Sequence, residues 1–371
     1  RAQYQAGELT AATQTLLRAA LLAHRQHWWR RLADALFLFE LICQQSGYHH
    51  VSSVPLHNAV LDHIGTADTA LRARVLASLA KAWRTAGQPD RAAETFRQSI
   101  ELARTVGDDG LLLGCLRKGN WTVGRNPARV QEGLEVAREA NTLARRLGDT
   151  EATLDSIADM IFQLCDLGDI DEVERQLVVL RELAARERQP HFDNVLLGFE
   201  AAVALLHGEW VKGVRKAQEG LQRLSLQGVF GLQGRFGFQV FWIRKSLGTL
   251  GELHETADRV ISGIDDSARW LPGQILLHCD LGQSAEARAA LRRLGNLGDL
   301  PQDDLSQIAL AFLAEACVRL NDRKRCALLF ELLTPYRGLN LTLRGTLMLG
   351  AATGYLARLA GALDRDSTAR A

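Results

Sequence analysis

Apolar residues recur along this chain at the three- and four-residue spacing of α-helices, in blocks separated by glycine-marked breaks. The stretch from Leu71 to Asp108 shows the unit most plainly. Leu76, Leu79, Ala80 and Trp83 belong to a first helix, Gly87-Gln88-Pro89-Asp90 interrupts it, and Ala92, Phe96, Ser99 and Ala103 share one face of a second. Glycine gives the first helix a left-handed end, and proline opens the second. The segment therefore predicts two antiparallel helices joined by a tight turn.

With Gly87 as anchor, equivalent breaks fall at Gly7, Gly47, Ala128, Gly168, Gly208, Gly251, Gly282, Asn321 and Gly361, mostly about 40 residues apart. The steps on either side of Gly251 deviate, so the register is weakest over 221–300. Five residues after the anchors stand Ala12, Ser52, Ala92, Gly133, Val173, Gly213, Thr256, Ala287 and Cys326, small or medium side chains where paired helices approach closely. Nine after them, Leu16, Leu56, Phe96, Ala137, Leu177, Ala217, Val260, Leu291 and Phe330 continue the same buried face. The phrases Leu102-Ala-Arg-Thr-Val-Gly-Asp108 and Leu143-Ala-Arg-Arg-Leu-Gly-Asp149 repeat the period by near identity.

The prediction is an all-α array of antiparallel helix pairs, about nine of them, with residues 1–371 forming a single domain. The pattern starts and stops within a unit, so the chain is expected to be a piece excised from a larger protein. Small, aromatic and small residues at these offsets resemble the tetratricopeptide repeat, whose usual period is about 34 residues. The longer step here implies longer helices or an added turn. The resemblance implies a right-handed superhelical α-solenoid whose first helices line a concave side.

Charge adds little direction. Lysine plus arginine number 44 against 43 for aspartate plus glutamate, so the chain has no overall bias toward nucleic acid or membrane. Charges such as Glu40 and Glu200 break the apolar stretches, leaving no run of about 18 to 20 residues for a membrane span. Cys43, Cys115, Cys165, Cys279, Cys317 and Cys326 are scattered through apolar segments without C-x-x-C pairs, as expected of reduced core residues in a cytoplasmic protein.

The last segment carries a second resemblance. Leu305-Ser-Gln-Ile-Ala-Leu-Ala-Phe-Leu-Ala-Glu-Ala-Cys-Val-Arg-Leu-Asn-Asp322, Ala327-Leu-Leu-Phe-Glu-Leu-Leu-Thr-Pro-Tyr-Arg-Gly338 and Gly350-Ala-Ala-Thr-Gly-Tyr-Leu-Ala-Arg-Leu359 are similar to the helical repeat region of large bacterial signalling ATPases of the AAA/STAND type. Those proteins add a LuxR-type DNA-binding domain or a nucleotide-cyclase domain. The resemblance implies a sensor or autoinhibitory arm that touches an ATPase domain in its parent, most often a transcriptional regulator. A free-standing interaction scaffold and the repeat region of a cyclase are the alternatives.

No catalytic apparatus stands out. G-x-x-x-x-G-K-[ST] is absent, and Gly228, Gly231, Gly234 and Gly237 read as a flexible connection between units, not as a dinucleotide loop. His24, His27, His49, His50, His57 and His63 lack metal-ligand spacing and read as solvated or half-buried turn histidines. The expectation is a non-enzymatic chain with no metal or cofactor. Its candidate site is the concave wall, where Arg74, Lys81 and Arg84 of one unit face Lys118, Asn120, Trp121 and Arg125 of the next, with Arg235, Phe238, Phe241, Trp242 and Lys245 farther on. Convergent cations beside aromatic rings suit an acidic peptide, a partner's acidic helix or a small phosphate-bearing effector.

Overall fold

The computed structural model describes residues 9–46, 53–66, 68–124, 126–187, 190–227, 230–253, 270–300 and 305–363. They are helical nearly throughout: α1 Leu9–Arg25, α2 Trp29–Ser46, α3 Val54–Ile64, α4 Thr69–Thr85, α5 Pro89–Val106, α6 Asp109–Leu116, α7 Gly119–Thr122, α8 Val130–Leu147 and α9 Thr150–Leu167. There follow α10 Ile170–Glu187, α11 Pro190–Leu206, α12 Trp210–Gln227, α13 Phe230–Ser246, α14 Leu271–Asp280, α15 Ser284–Leu294, α16 Ser306–Arg319, α17 Arg323–Leu333 and α18 Ala352–Ala362. By contact the chain forms two compact units. Unit 1 holds Arg1–Gln163, Arg175–Asp193 and Gln222–Gly234, and unit 2 holds Leu164–Glu174, Asn194–Leu221 and Arg235–Ala371.

Within each unit, successive helices pack as pairs, α1 on α2 and α4 on α5 in unit 1, α14 on α15 and α16 on α17 in unit 2. Left-handed residues close the turns inside the pairs: Gly87, Gly168, Gly208 and Gly282 have φ of 72 to 81°, and Asn321 takes the same region at 53°; Gly248, at 71°, follows α13 in the same way. Gly107 and Gly148, from the repeated phrases, end second helices in the same way. The aspartate after each then caps the next helix, Asp108 accepting from Leu111 N at 3.0 Å and Asp149 from Ala152 N at 2.9 Å. Asp68 caps α4 one repeat earlier. An alanine at Gly282 would meet no atom within 4 Å, so only its backbone angle opposes the change. Gly282→Ala is expected to cost about 1–2 kcal/mol, read as a lowered urea midpoint with an unchanged slope.

The five-residue offset is where helices touch. A Cβ on Gly213 would stand 2.7 Å from Leu205 Cδ2, and one on Gly133 2.4 Å from Gly124 Cα, while Ala92, Val173, Ala287 and Cys326 are fully buried. Ion pairs span one repeat along outer faces of unit 1, Arg97 to Glu132 at 3.6 Å and Arg104 to Glu139 at 2.9 Å. Exposed pairs of this kind contribute well under about 1 kcal/mol each, so they mark register more than they hold the stack.

Four expectations need correction. The break near residue 250 is Gly248, since the helix runs to Ser246 and Gly251 lies in a following 3-10 turn. Ala128 does lie in a break, the 3-10 turn Pro127–Arg129 between α7 and α8, but Gly361 lies inside α18. Gly231, Gly234 and Gly237 are not a connection but part of α13, and Gly228 lies outside the described residues. The first helix that was to carry Lys118 through Arg125 breaks at Arg117-Lys118 into α6 and α7, because Gly119 presses against Phe96 and Val136, 2.9 and 2.3 Å from its would-be Cβ.

Unit 2 also contains a β-hairpin amid the helices. Strands Asn340–Thr342 and Met348–Ala351 pair antiparallel with a bulge between Leu341 and Thr342. Arg344 and Gly345 both have positive φ, 46 and 65°, the pair of left-handed residues that a tight hairpin turn requires. Leu341, Leu343, Leu347 and Leu349 are buried in the core of the unit with Phe238, Ile275, Phe312 and Tyr355.

Side chains from several first helices satisfy the hairpin's polar groups. Thr342 Oγ1 donates to Asp166 at 2.5 Å, Asn340 Nδ2 to Cys165 O at 3.1 Å, and Gln307 Oε1 accepts from Thr342 N at 2.7 Å. Gln239 Nε2 donates to Thr346 O and, at 2.9 Å, to Gly198 O. Residues separated by whole repeats therefore do converge in this unit.

Candidate functional site

The polar cluster of unit 1 begins with a charge in the middle of an apolar helix. Glu40 follows Leu36 and Phe39 on α2, and Lys81 lies among Ala77, Leu79, Ala80 and Ala82 on α4. The two are 5% exposed each, with Lys81 Nζ 2.8 Å from Glu40 O and 4.0 Å from its carboxylate. Ser53, ahead of α3, donates its hydroxyl to the other oxygen of that carboxylate at 2.6 Å.

His57, the polar member of the buried face of α3, completes the network. Its Nδ1 lies 2.9 Å from Ser53 O and its Nε2 3.0 Å from Ser78 Oγ on α4. A carbonyl can only accept, so Nδ1 carries the hydrogen; in the neutral ring Nε2 then accepts from the Ser78 hydroxyl. Burial holds His57 below its ordinary pKa, with Glu40 and the Ser53 carbonyl acting against that and Lys118 reinforcing it.

Lys118 approaches from the break between α6 and α7. Burial holds its ammonium below the usual amine range; Glu40 and Cys115 oppose the shift, and Arg117 and Arg74 add to it. The Cys115 thiol is pushed up by burial, eased by Ser99, Lys118 and Arg74. Arg74 also lies over the Phe37 ring, 4.6 Å from its centroid. The cluster thus brings Lys81 and Lys118 to the Glu40 charge, with Arg74 as a repelling cation beside Lys118.

Of the expected wall, the structure brings together Arg74, Lys81 and Lys118. Lys81 is a buried ion-pair partner of Glu40 and not an open-wall cation, being 5% exposed and held against α2. Arg84 is half-buried at the end of α4. Arg125, and the side chains of Asn120, Trp121 and Arg235, lie outside the described residues. His57 is fully buried with both nitrogens engaged, not a solvated turn histidine. His24, His27 and His63 gather about Trp29, with His63 stacked on it at 4.5 Å.

The residues farther on belong to unit 2. Phe238, Phe241 and Trp242 pack around Phe312, with ring centroids 6.1, 5.3 and 6.0 Å away, as members of the core and its border. Lys245 lies over Trp242 at 5.4 Å and bonds to Glu315 at 2.6 Å. With Asp280 and Arg319 it forms a network of two cations and two carboxylates, which leaves no excess charge for a ligand.

Ser78 and His57 have the hydrogen bond of a nucleophile and its base, yet both are fully buried, so the arrangement holds α3 on α4 and presents no reactive atom to a substrate. Among the described residues the remaining thiols are quiet, and the Cys43 side chain lies outside them. Burial raises Cys279 to about 11 and Cys317 to about 12, leaving them protonated near neutral pH. Among the described residues no group of three or more histidine, cysteine or carboxylate side chains is placed to hold a metal, and no helix is long and apolar enough to cross a membrane.

No protein-family model and no curated protein matches the chain. Among solved structures it is similar to one described as a "circular tandem repeat protein with novel repeat topology and enhanced subunit contact surfaces", at 12% identity over 98% of this chain and 96% of that one. The TM-score is 0.24, and no inference is drawn from that likeness.

Proposed function

We propose that this helical-repeat chain is a non-enzymatic interaction module that takes an acidic protein or peptide segment on the first-helix face of unit 1. The observation that carries the reading is the convergence of cations from two neighbouring repeats: Lys118 feels the Glu40 charge that Lys81 already pairs with, and Arg74 repels it. An incoming anion would relieve their repulsion, and the Phe37 ring under Arg74 adds an apolar neighbour.

In a parent protein of the kind that the Leu305–Asp322 and Gly350–Leu359 phrases resemble, such binding would shift an arm between states docked on and released from a signalling ATPase. The sequence resemblance alone supports that part of the reading.

The binding test uses a fluorescein-labelled peptide of ten glutamates and its ten-glutamine counterpart, followed by anisotropy at low salt. The glutamate peptide is expected to bind at least about tenfold more tightly than the glutamine one, and Arg74→Glu with Lys118→Glu is expected to remove that preference. Lys81 is left alone, since reversing a buried charge beside Glu40 tests folding and not binding. Equal binding of the two peptides, or a preference unchanged in the double variant, overturns the reading.

A further inference from the structure

We propose that α3 is a proton-released helix: a proton taken up by His57 as the pH falls below neutral frees Val54–Ile64 from α2 and α4. The helix is only 11 residues long and buries Val54, His57, Val60 and Leu61, so a polar group occupies the middle of its short packing face. A helix of that length depends on docking to persist. Its fastenings are the Ser53 hydroxyl on Glu40, the His57 Nε2 bond to Ser78, and Arg72, which donates to Gly65 O at 2.7 Å; the Nδ1 bond to Ser53 O stays within the first turn of α3.

The charged groups around His57 leave a second proton on the ring without a counter-charge of its own. From α2 comes the Glu40 carboxylate, already bonded by Ser53 and paired with Lys81. From α4 come Lys81 and Arg74, from beyond α6 comes Lys118, and at the far end His63 stacks on Trp29 beside His24 of α1. Ser78 can rotate to accept from a charged ring, so the obstacle is the buried charge and not a lost bond.

The sign follows from burial. A docked His57 with a lowered pKa has no effect on docking above its ordinary pKa of 6.5, where docked and released forms are both neutral. Below that value the released form takes the proton first, so docking weakens by up to about tenfold per pH unit until the docked pKa is passed.

The test is hydrogen exchange of the whole chain, read by mass spectrometry at about pH 7.5 and about pH 5.5, with times scaled for the intrinsic rate. Protection over 54–64 is expected to fall by up to about tenfold at the lower pH, while 89–106 in α5 keeps its protection. His57→Gln is expected to make the α3 response flat. Lys118→Gln, at a half-buried site, removes an opposing cation and is expected to shrink the response, which decides the matter should the His57 variant fail to fold. Equal protection at both pH values in the parent chain overturns the proposal. So does a full acid response in the folded variants, which would place the proton on a group other than His57.

Discussion

Glu40→Gln is expected to destabilise unit 1 by about 3 kcal/mol or more, an unusually large effect for a swap that keeps the shape and one acceptor oxygen. The glutamine can still accept from Ser53, and Lys81 can still donate to the residue-40 carbonyl. What disappears is the carboxylate that offsets the buried ammonium. Removing one member of a buried pair costs more than replacing both, because the survivor keeps its desolvation penalty. The double variant Glu40→Gln, Lys81→Met is therefore expected to recover most of the loss. Urea unfolding of the four proteins closes the cycle. Additive single effects would mean that the two side chains do not hold each other.

Phe312→Ala is expected to cost about 3–5 kcal/mol in unit 2. The ring is 1% exposed, and Phe238, Phe241 and Trp242 of α13 converge on it from one side. The hairpin leucines belong to the same core, so a cavity here also loosens the strands. Leu247, at the exposed end of α13, supplies the comparison: Leu247→Ala is expected to stay within about 0.5 kcal/mol. Similar losses from both changes would mean that the aromatic cluster is not the centre of the unit.

The repeat was legible because its marks are local. A glycine that ends a helix and an aspartate that caps the next are set by neighbours a few residues away, so Gly107-Asp108 and Gly148-Asp149 announce their turns without help from tertiary structure. Gly248 was passed over for Gly251 although it lies the regular 40 residues after Gly208, and the end of α13 confirms it as the break. The hairpin escaped for a different reason. Leu341, Leu343, Leu347 and Leu349 alternate around Arg344-Gly345, a two-residue period that strands of only three and four residues make easy to overlook inside a helical pattern.

The site was half legible. Arg74, Lys81 and Lys118 were found by counting back from anchors, which locates a face but not its depth. Glu40 and Lys81 could have been paired in advance, since opposite charges interrupt two apolar helices one repeat apart. His57 gave no such sign, because its partners are a backbone carbonyl and a serine.

The hairpin also sets a timetable for synthesis. Cys165 and Asp166 leave the ribosome some 175 residues before Asn340 and Thr342, the residues that bond to them. At ordinary translation speeds of about 5–20 residues per second, that end of α9 waits roughly 10 to 35 seconds for its partners. A nascent chain stopped short of residue 340 therefore cannot complete unit 2, however many finished helices it already carries.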